Sequence, residues 1–127
     1  MKKKSFLIIW SFENKQLDFG FVTGKKYRHR TKSMHDLSLE LLPALNAEKN
    51  IKELGGIAVV VDRLGGFASS RLLLVTLNTM AWFFNIPICA APVRWKHDDA
   101  TLARTVDTFF AKKKTFTKQV VPVYARP

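Results

Sequence analysis

Few residues of this 127-residue sequence stand where they could do covalent or metal chemistry. The most suggestive stretch is Asp62-Arg63-Leu64-Gly65-Gly66-Phe67-Ala68-Ser69-Ser70, which follows the β-branched run Ile57-Ala58-Val59-Val60-Val61 and opens a long helical pattern. Strand, glycine loop and helix in that order can cradle phosphate, because the backbone approaches closely and a helix N-terminus favours an anion. A Mg-ATP site of this kind also needs a carboxylate in the first hairpin to organise the metal and its waters. None lies near Ile9, and the loop carries only Gly65 and Gly66. Adjacent glycines at such a junction serve backbone geometry, so the loop reads as a turn. Two-metal nuclease chemistry needs several converging carboxylates; only Asp62 and Glu40 are remotely placed, and the first strand has none. His29, His35 and His97 lack the i, i+4 spacing of a helical metal pair. Cys89 is the single cysteine and sits in an apolar run, which predicts a buried thiol and excludes an intrachain disulfide. No catalytic residue, metal or cofactor is expected.

The charge is more informative. Lys and Arg number 21 against 10 Asp and Glu, a net charge of +11 that favours a polyanionic partner such as RNA. Lys25-Lys26-Tyr27-Arg28-His29-Arg30 concentrates part of it. On a strand, Lys26, Arg28 and Arg30 share one face, with Tyr27 and His29 on the other. Such a face can follow a phosphate backbone, or it can simply block unwanted strand pairing at a sheet edge. Lys112, Lys113 and Lys114 form a second cluster with the same two readings. Lys25, Lys26, Arg28, Arg30 and these three lysines are the candidate RNA-binding residues.

The elements that must position these groups follow from hydrophobic period. Phe6-Leu7-Ile8-Ile9-Trp10 is a continuous apolar run suited to a central strand buried on both faces. Residues 16–23 alternate with period two, and residues 26–31 continue as a polar, cationic edge strand. Ser33, with Asp36 three residues on, predicts a capped helix start, and Leu37, Leu41, Leu42 and Leu45 carry the helical spacing around Pro43. Leu54-Gly55-Gly56 ends that helical segment, and residues 57–61 follow as a buried parallel strand. A second helix is expected over about residues 70–85, a short strand over 86–91, and a third helix from Asp98 to about Lys112.

Three antiparallel strands, then helix, strand, helix, strand, helix, is the order of a ribonuclease H-like, actin-like α/β domain with a mixed sheet. The expected organisation is one domain over residues 1–112 and an extended tail over 113–127. The basic and apolar amino terminus lacks a cleavage site, and no apolar stretch is long and unbroken enough to span a bilayer, so a cytoplasmic protein without membrane contact is expected.

At the glycine loop and second helix the chain resembles the bacterial TsaB (YeaZ) family, whose signature runs approximately Gly-Pro-Gly-Ser-Phe-Thr-Gly-Leu-Arg, then an alanine-rich helix, then Asn-Ile-Pro. Phe67 and Arg71 fall on the signature's Phe and Arg, and the spacing continues through Thr76, Ala81 and Trp82 to Asn85-Ile86-Pro87. Gly65, Gly66, Phe67 and Arg71 are the family-motif positions. Ser38 and Leu41-Leu42-Pro43 resemble part of the family's first helix, and Pro122-Val123-Tyr124-Ala125-Arg126 its carboxyl end. Departures include the missing Asp-Thr-Ser of the first strand, the thinned glycine loop and a much shortened second half.

The resemblance implies a non-catalytic scaffold that binds a TsaD-like catalytic subunit, together with a TsaE-like ATPase, in threonylcarbamoyl modification of the tRNA adenosine beside the anticodon. In the family the first two helices contact TsaD, or a second copy in homodimers. Here both helices carry more apolar residues than one inward stripe holds. Leu73, Leu74, Leu77 and Ala81 form one stripe of the second helix; Leu72, Thr76, Thr79 and Phe83 form another. Leu41, Leu42 and Leu45 with Leu72, Thr76, Thr79 and Phe83 are therefore the candidate interface, unless the third helix covers it. Consecutive Trp82, Phe83 and Phe84 cannot all face one sheet. The alternatives are a self-associating actin-like pseudo-domain with a basic RNA-binding surface and, less favoured, an ATP-dependent phosphotransferase.

Overall fold

A computed structural model of the chain describes residues 5–61, 64, 67–92 and 94–112, with residues 67–69 and 112 described as backbone only. Strand β1 (Ser5–Glu13) lies at the centre of a five-stranded sheet, antiparallel to β2 (Gln16–Thr23) and parallel to β4 (Leu54–Val59). β3 (Lys26–Ser33) extends the antiparallel side and β5 (Ile88–Ala90) the parallel side, giving the order β3-β2-β1-β4-β5. Helices α1 (Leu37–Glu48), α2 (Phe67–Phe84) and α3 (Leu102–Lys112) complete the order of elements predicted above.

Because β1 is buried on both faces, its side chains feed two cores. Leu7 and Ile9 join α1 and α2 on one face, whereas Phe6, Ile8 and Trp10 join α3 on the other. A bulge between Ile9 and Ser11 shifts the phase, and Phe12 therefore packs on the α1–α2 face despite its even number. The β1–β2 hairpin closes through Asn14 and Lys15, both at positive φ (51° and 60°), as the primed two-residue turns that match strand twist require.

Several local expectations are corrected. Ser33 ends β3, held in register opposite Gln16, and Asp36 takes the N-cap position of α1. Its backbone amide is bonded by the Glu40 carboxylate, while its side chain accepts from the Ser38 hydroxyl at 2.8 Å. Gly55 and Gly56 belong to β4, which begins after a 3-10 turn at Ile51–Glu53. α2 starts at Phe67 and ends at Phe84. Its end is set by Asn85 at φ 55°, with the Ile86 amide donating to the Ala81 carbonyl at 2.8 Å, the 6→1 bond of a left-handed helix stop. α3 starts at Leu102, because Asp99 instead forms a side-chain turn with the Thr101 amide and hydroxyl at 2.8 and 2.7 Å. Those two donors hold the exposed Asp99 carboxyl below its ordinary range, the amide having the larger effect.

Candidate protein-docking face

α1 and α2 lie side by side, and their inward stripes are the ones that helical spacing selects. Leu37, Leu41 and Leu45 point into the core from α1, and Leu73, Leu74, Leu77 and Ala81 from α2. Leu41 and Leu45 are 0% exposed, which corrects their assignment to an interface: i, i+4 spacing from Leu37 puts both beneath the helix. Pro43 stands on the exposed side of α1, and the helix continues through it.

α3 packs on the opposite face of the sheet and does not cover α2. The outer side of α1 and α2 is left with Leu39, Leu42, Leu72, Val75, Trp82 and Phe83 as exposed large apolar side chains, Trp82 at 77% and Phe83 at 71%. Phe84, by contrast, turns inward and packs against the core, so the three consecutive aromatics diverge as a 100° step demands. Leu39, Val75 and Trp82 are additions to the candidate set. Stepping by three as well as four from Leu72 reaches Val75, and from Thr79 it reaches Trp82.

Between these apolar groups sit Thr76, half-buried, and Thr79, exposed. Each hydroxyl donates to a carbonyl one turn back, Thr76 to Leu72 and Thr79 to Val75, both at 2.8 Å. With its hydroxyl already bonded within the helix, each Thr can present its methyl group, and a partner covering the stripe would leave no hydroxyl stranded. The face is thus dry in chemistry although it is wet in the isolated chain.

The basic residues are dispersed. Lys25 lies in the β2–β3 turn, and Lys26, Arg28 and Arg30 share the α1-side face of edge strand β3. Arg30 is not an unpaired cation: its Nε donates to Glu48 of α1 at 3.1 Å. On the other face His29 is bonded to Asp18 and stacks on His97 with ring centroids 4.7 Å apart. Tyr27 accepts from Trp10 Nε1 at 2.6 Å, and burial pushes its hydroxyl up to about 12. Phe67 opens α2, Arg71 is exposed in its second turn, and Lys112 ends α3. Gly65, Gly66, Lys113, Lys114 and the tail over 113–127 lie outside the described residues. Among the described residues no group of three or more His, Cys, Asp or Glu is placed to hold a metal, and no helix is long and apolar enough to cross a membrane.

Solved structures match this architecture. YeaZ from Pseudomonas aeruginosa superposes with a TM-score of 0.53 at 14% identity, over 69% of this chain and 42% of its own. The fold is ribonuclease H-like. A second Pseudomonas aeruginosa structure, described as similar to peptidase YeaZ, superposes with a TM-score of 0.52 at 15% identity, over 72% of this chain and 43% of its own. RuvC from T. thermophilus, in complex with a Holliday junction substrate, gives a TM-score of 0.44 at 15% identity. No protein-family model matches the chain, and no curated protein does. At such identities the likeness extends to the ribonuclease H-like fold, and the chain spans less than half the length of the two YeaZ-type structures.

Proposed function

We propose that this chain is a non-catalytic, TsaB-like scaffold that docks onto a TsaD-like catalytic subunit through the outer face of α1 and α2, and so supports threonylcarbamoyl modification of tRNA. The observation that carries the reading is the exposed apolar stripe centred on Thr79, Trp82 and Phe83, which no other described element covers, on the side of the sheet away from α3. An aromatic side chain buries about 150–250 Å² at an interface, worth about 4–6 kcal/mol at 25 cal/mol per Å² before the costs of association. Two exposed aromatics flanked by four aliphatic groups are anchors of the kind that dominate binding energy. The net charge of +11 adds long-range attraction for tRNA bound to the complex. The apolar inner residues of β1, with Glu13 as its one carboxylate at the exposed end, support a role that leaves catalysis to the partner.

The second reading, self-association of a pseudo-domain, uses the same stripe and differs in the occupant. Calorimetric titration of the chain with the TsaD-like subunit of its own organism, alongside light scattering of each alone, separates the two. Saturable one-to-one binding in the micromolar range or tighter is expected; a dimer indifferent to the TsaD-like subunit would replace the proposal with self-association.

A further inference from the structure

The sheet order leaves β3 at an edge, and its pairing with β2 determines which main-chain groups face outward. The two-residue turn at Gly24 and Lys25 closes on the pair Thr23 and Lys26. At the far end the Met34 amide donates to the Lys15 carbonyl at 2.7 Å. Both ends put Lys26, Arg28, Arg30 and Lys32 in the hydrogen-bonded pairs of the ladder, which alternate with non-bonded ones. The amides and carbonyls of Tyr27, His29, Thr31 and Ser33 therefore point away from β2. Among the described residues no strand pairs with them. One of these groups is engaged by a side chain, since Arg30 Nη1 donates to the His29 carbonyl at 3.2 Å.

The side chains of the same strand are strongly one-sided. Lys26, Arg28, Arg30 and Lys32 stand opposite Thr23, Phe21, Phe19 and Leu17, hence on one face. Glu48 neutralises Arg30. Lys26 and Arg28 are exposed and Lys32 is half-buried, and none of the three forms an ion pair with a described residue. The edge thus combines an open main-chain ladder with cations on one face of a two-residue period, Lys26 and Arg28 about 6.6 Å apart along the strand and Lys32 two steps beyond.

We propose that β3 takes an extended acidic peptide segment of another protein as an added strand, its main chain bonding Tyr27, His29 and Thr31 and its alternate carboxylates facing Lys26, Arg28 and Lys32. A strand has the same two-residue period as the cations, so its carboxylates stay in register by construction. It also supplies both donors and acceptors to the outward groups. Nucleic-acid phosphates only accept, and would leave the outward carbonyls unanswered. A second copy of this edge would set cation against cation, and Lys and Arg at an edge repel ordinary basic strands in the same way. The site is separate from the α1–α2 face, so it stands or falls independently of the docking proposal.

The test uses fluorescence anisotropy with a short labelled peptide alternating Glu and Thr, the same peptide with Lys for Glu, and a single-stranded RNA of equal negative charge. Thr31→Pro removes one outward amide while keeping every charge, at a position where proline is tolerated because its missing N–H faces solvent. The acidic peptide is expected to bind saturably, Thr31→Pro to weaken it about tenfold, and the Lys peptide not to bind. If Thr31→Pro fails to fold, N-methylation of the peptide amides that face β3 replaces it, with the same loss expected on the unaltered protein. Binding that survives either change, RNA that binds as tightly as the peptide, or no saturable peptide binding overturns the proposal.

Discussion

Phe110 of α3 lies directly over Gly56 of β4: a β-carbon added at Gly56 would stand 2.3 Å from Phe110 Cε1. The ring cannot slide away easily, because it also stacks on Phe6 at a centroid distance of 4.6 Å and an interplanar angle of 8°. Gly56→Ala is therefore expected to destabilise the fold by about 1–3 kcal/mol through overpacking, measured by urea unfolding. A neutral outcome would show that α3 is free to lift from the sheet.

Leu41→Ala and Leu42→Ala should separate core from surface on one helix. Leu41 is fully buried, so its truncation is expected to cost about 2–5 kcal/mol, whereas Leu42 on the exposed side should stay within about 1 kcal/mol. Equal losses in thermal unfolding would contradict the placement of α1.

Lys15 at φ 60° carries a side chain in a left-handed position beside Asn14. Removing the side chain relieves about 1–2 kcal/mol of strain against an entropic loss of about 0.5–1 kcal/mol. Lys15→Gly is expected to raise stability by about 0.5–1 kcal/mol, creating the Asn-Gly turn favoured in such hairpins. A lower melting temperature would mean the turn is not of this type.

Tyr27 gives a pH dependence with a defined sign. Burial raises its folded-state value to about 12 from the ordinary 10.0, and Trp10's hydrogen bond opposes that rise. The neutral phenol's contribution is fully present below pH 10 and is lost as pH rises through about 12, because the unfolded chain sheds the proton first. In a Tyr124→Phe background, ultraviolet titration should show a single phenol ionising near 12. Ionisation near 10 would mean that the Tyr27 hydroxyl is not buried as the fold places it.

The sequence specifies some of these placements residue by residue and leaves others to tertiary contacts. The central position of β1 was written in its unbroken apolar run, and the cationic edge in residues 26–30, because burial on two faces and exposure at an edge leave opposite compositions. Gly55 and Gly56 read as the end of the helical segment because adjacent glycines locally favour turns; Gly56 instead pairs with Phe6 of β1 and leaves the space that Phe110 fills, contacts between residues far apart in sequence. The face that α3 occupies was likewise open, since its amphipathic pattern names a buried stripe but not the sheet face that receives it. Trp82 was visible as part of an aromatic run too wide for one surface. Choosing which members turn outward required the fixed phase of α2, set by Leu73, Leu74 and Leu77 in the core.

If the outer face of α1 and α2 is a docking surface, charges placed on it must abolish binding without unfolding the chain. The affinity of the Thr79→Lys/Phe83→Lys double variant for the TsaD-like subunit, measured by calorimetry with thermal unfolding recorded on the same samples, decides this. Both positions are exposed in the isolated chain, so the variant is expected to melt within a few degrees of the unaltered protein. Its affinity is expected to fall about a hundredfold or more, as removal of an aromatic anchor and insertion of two buried charges would cause. A variant that unfolds, or one that stays folded and binds as tightly as before, would show that the TsaD-like subunit does not dock on this face.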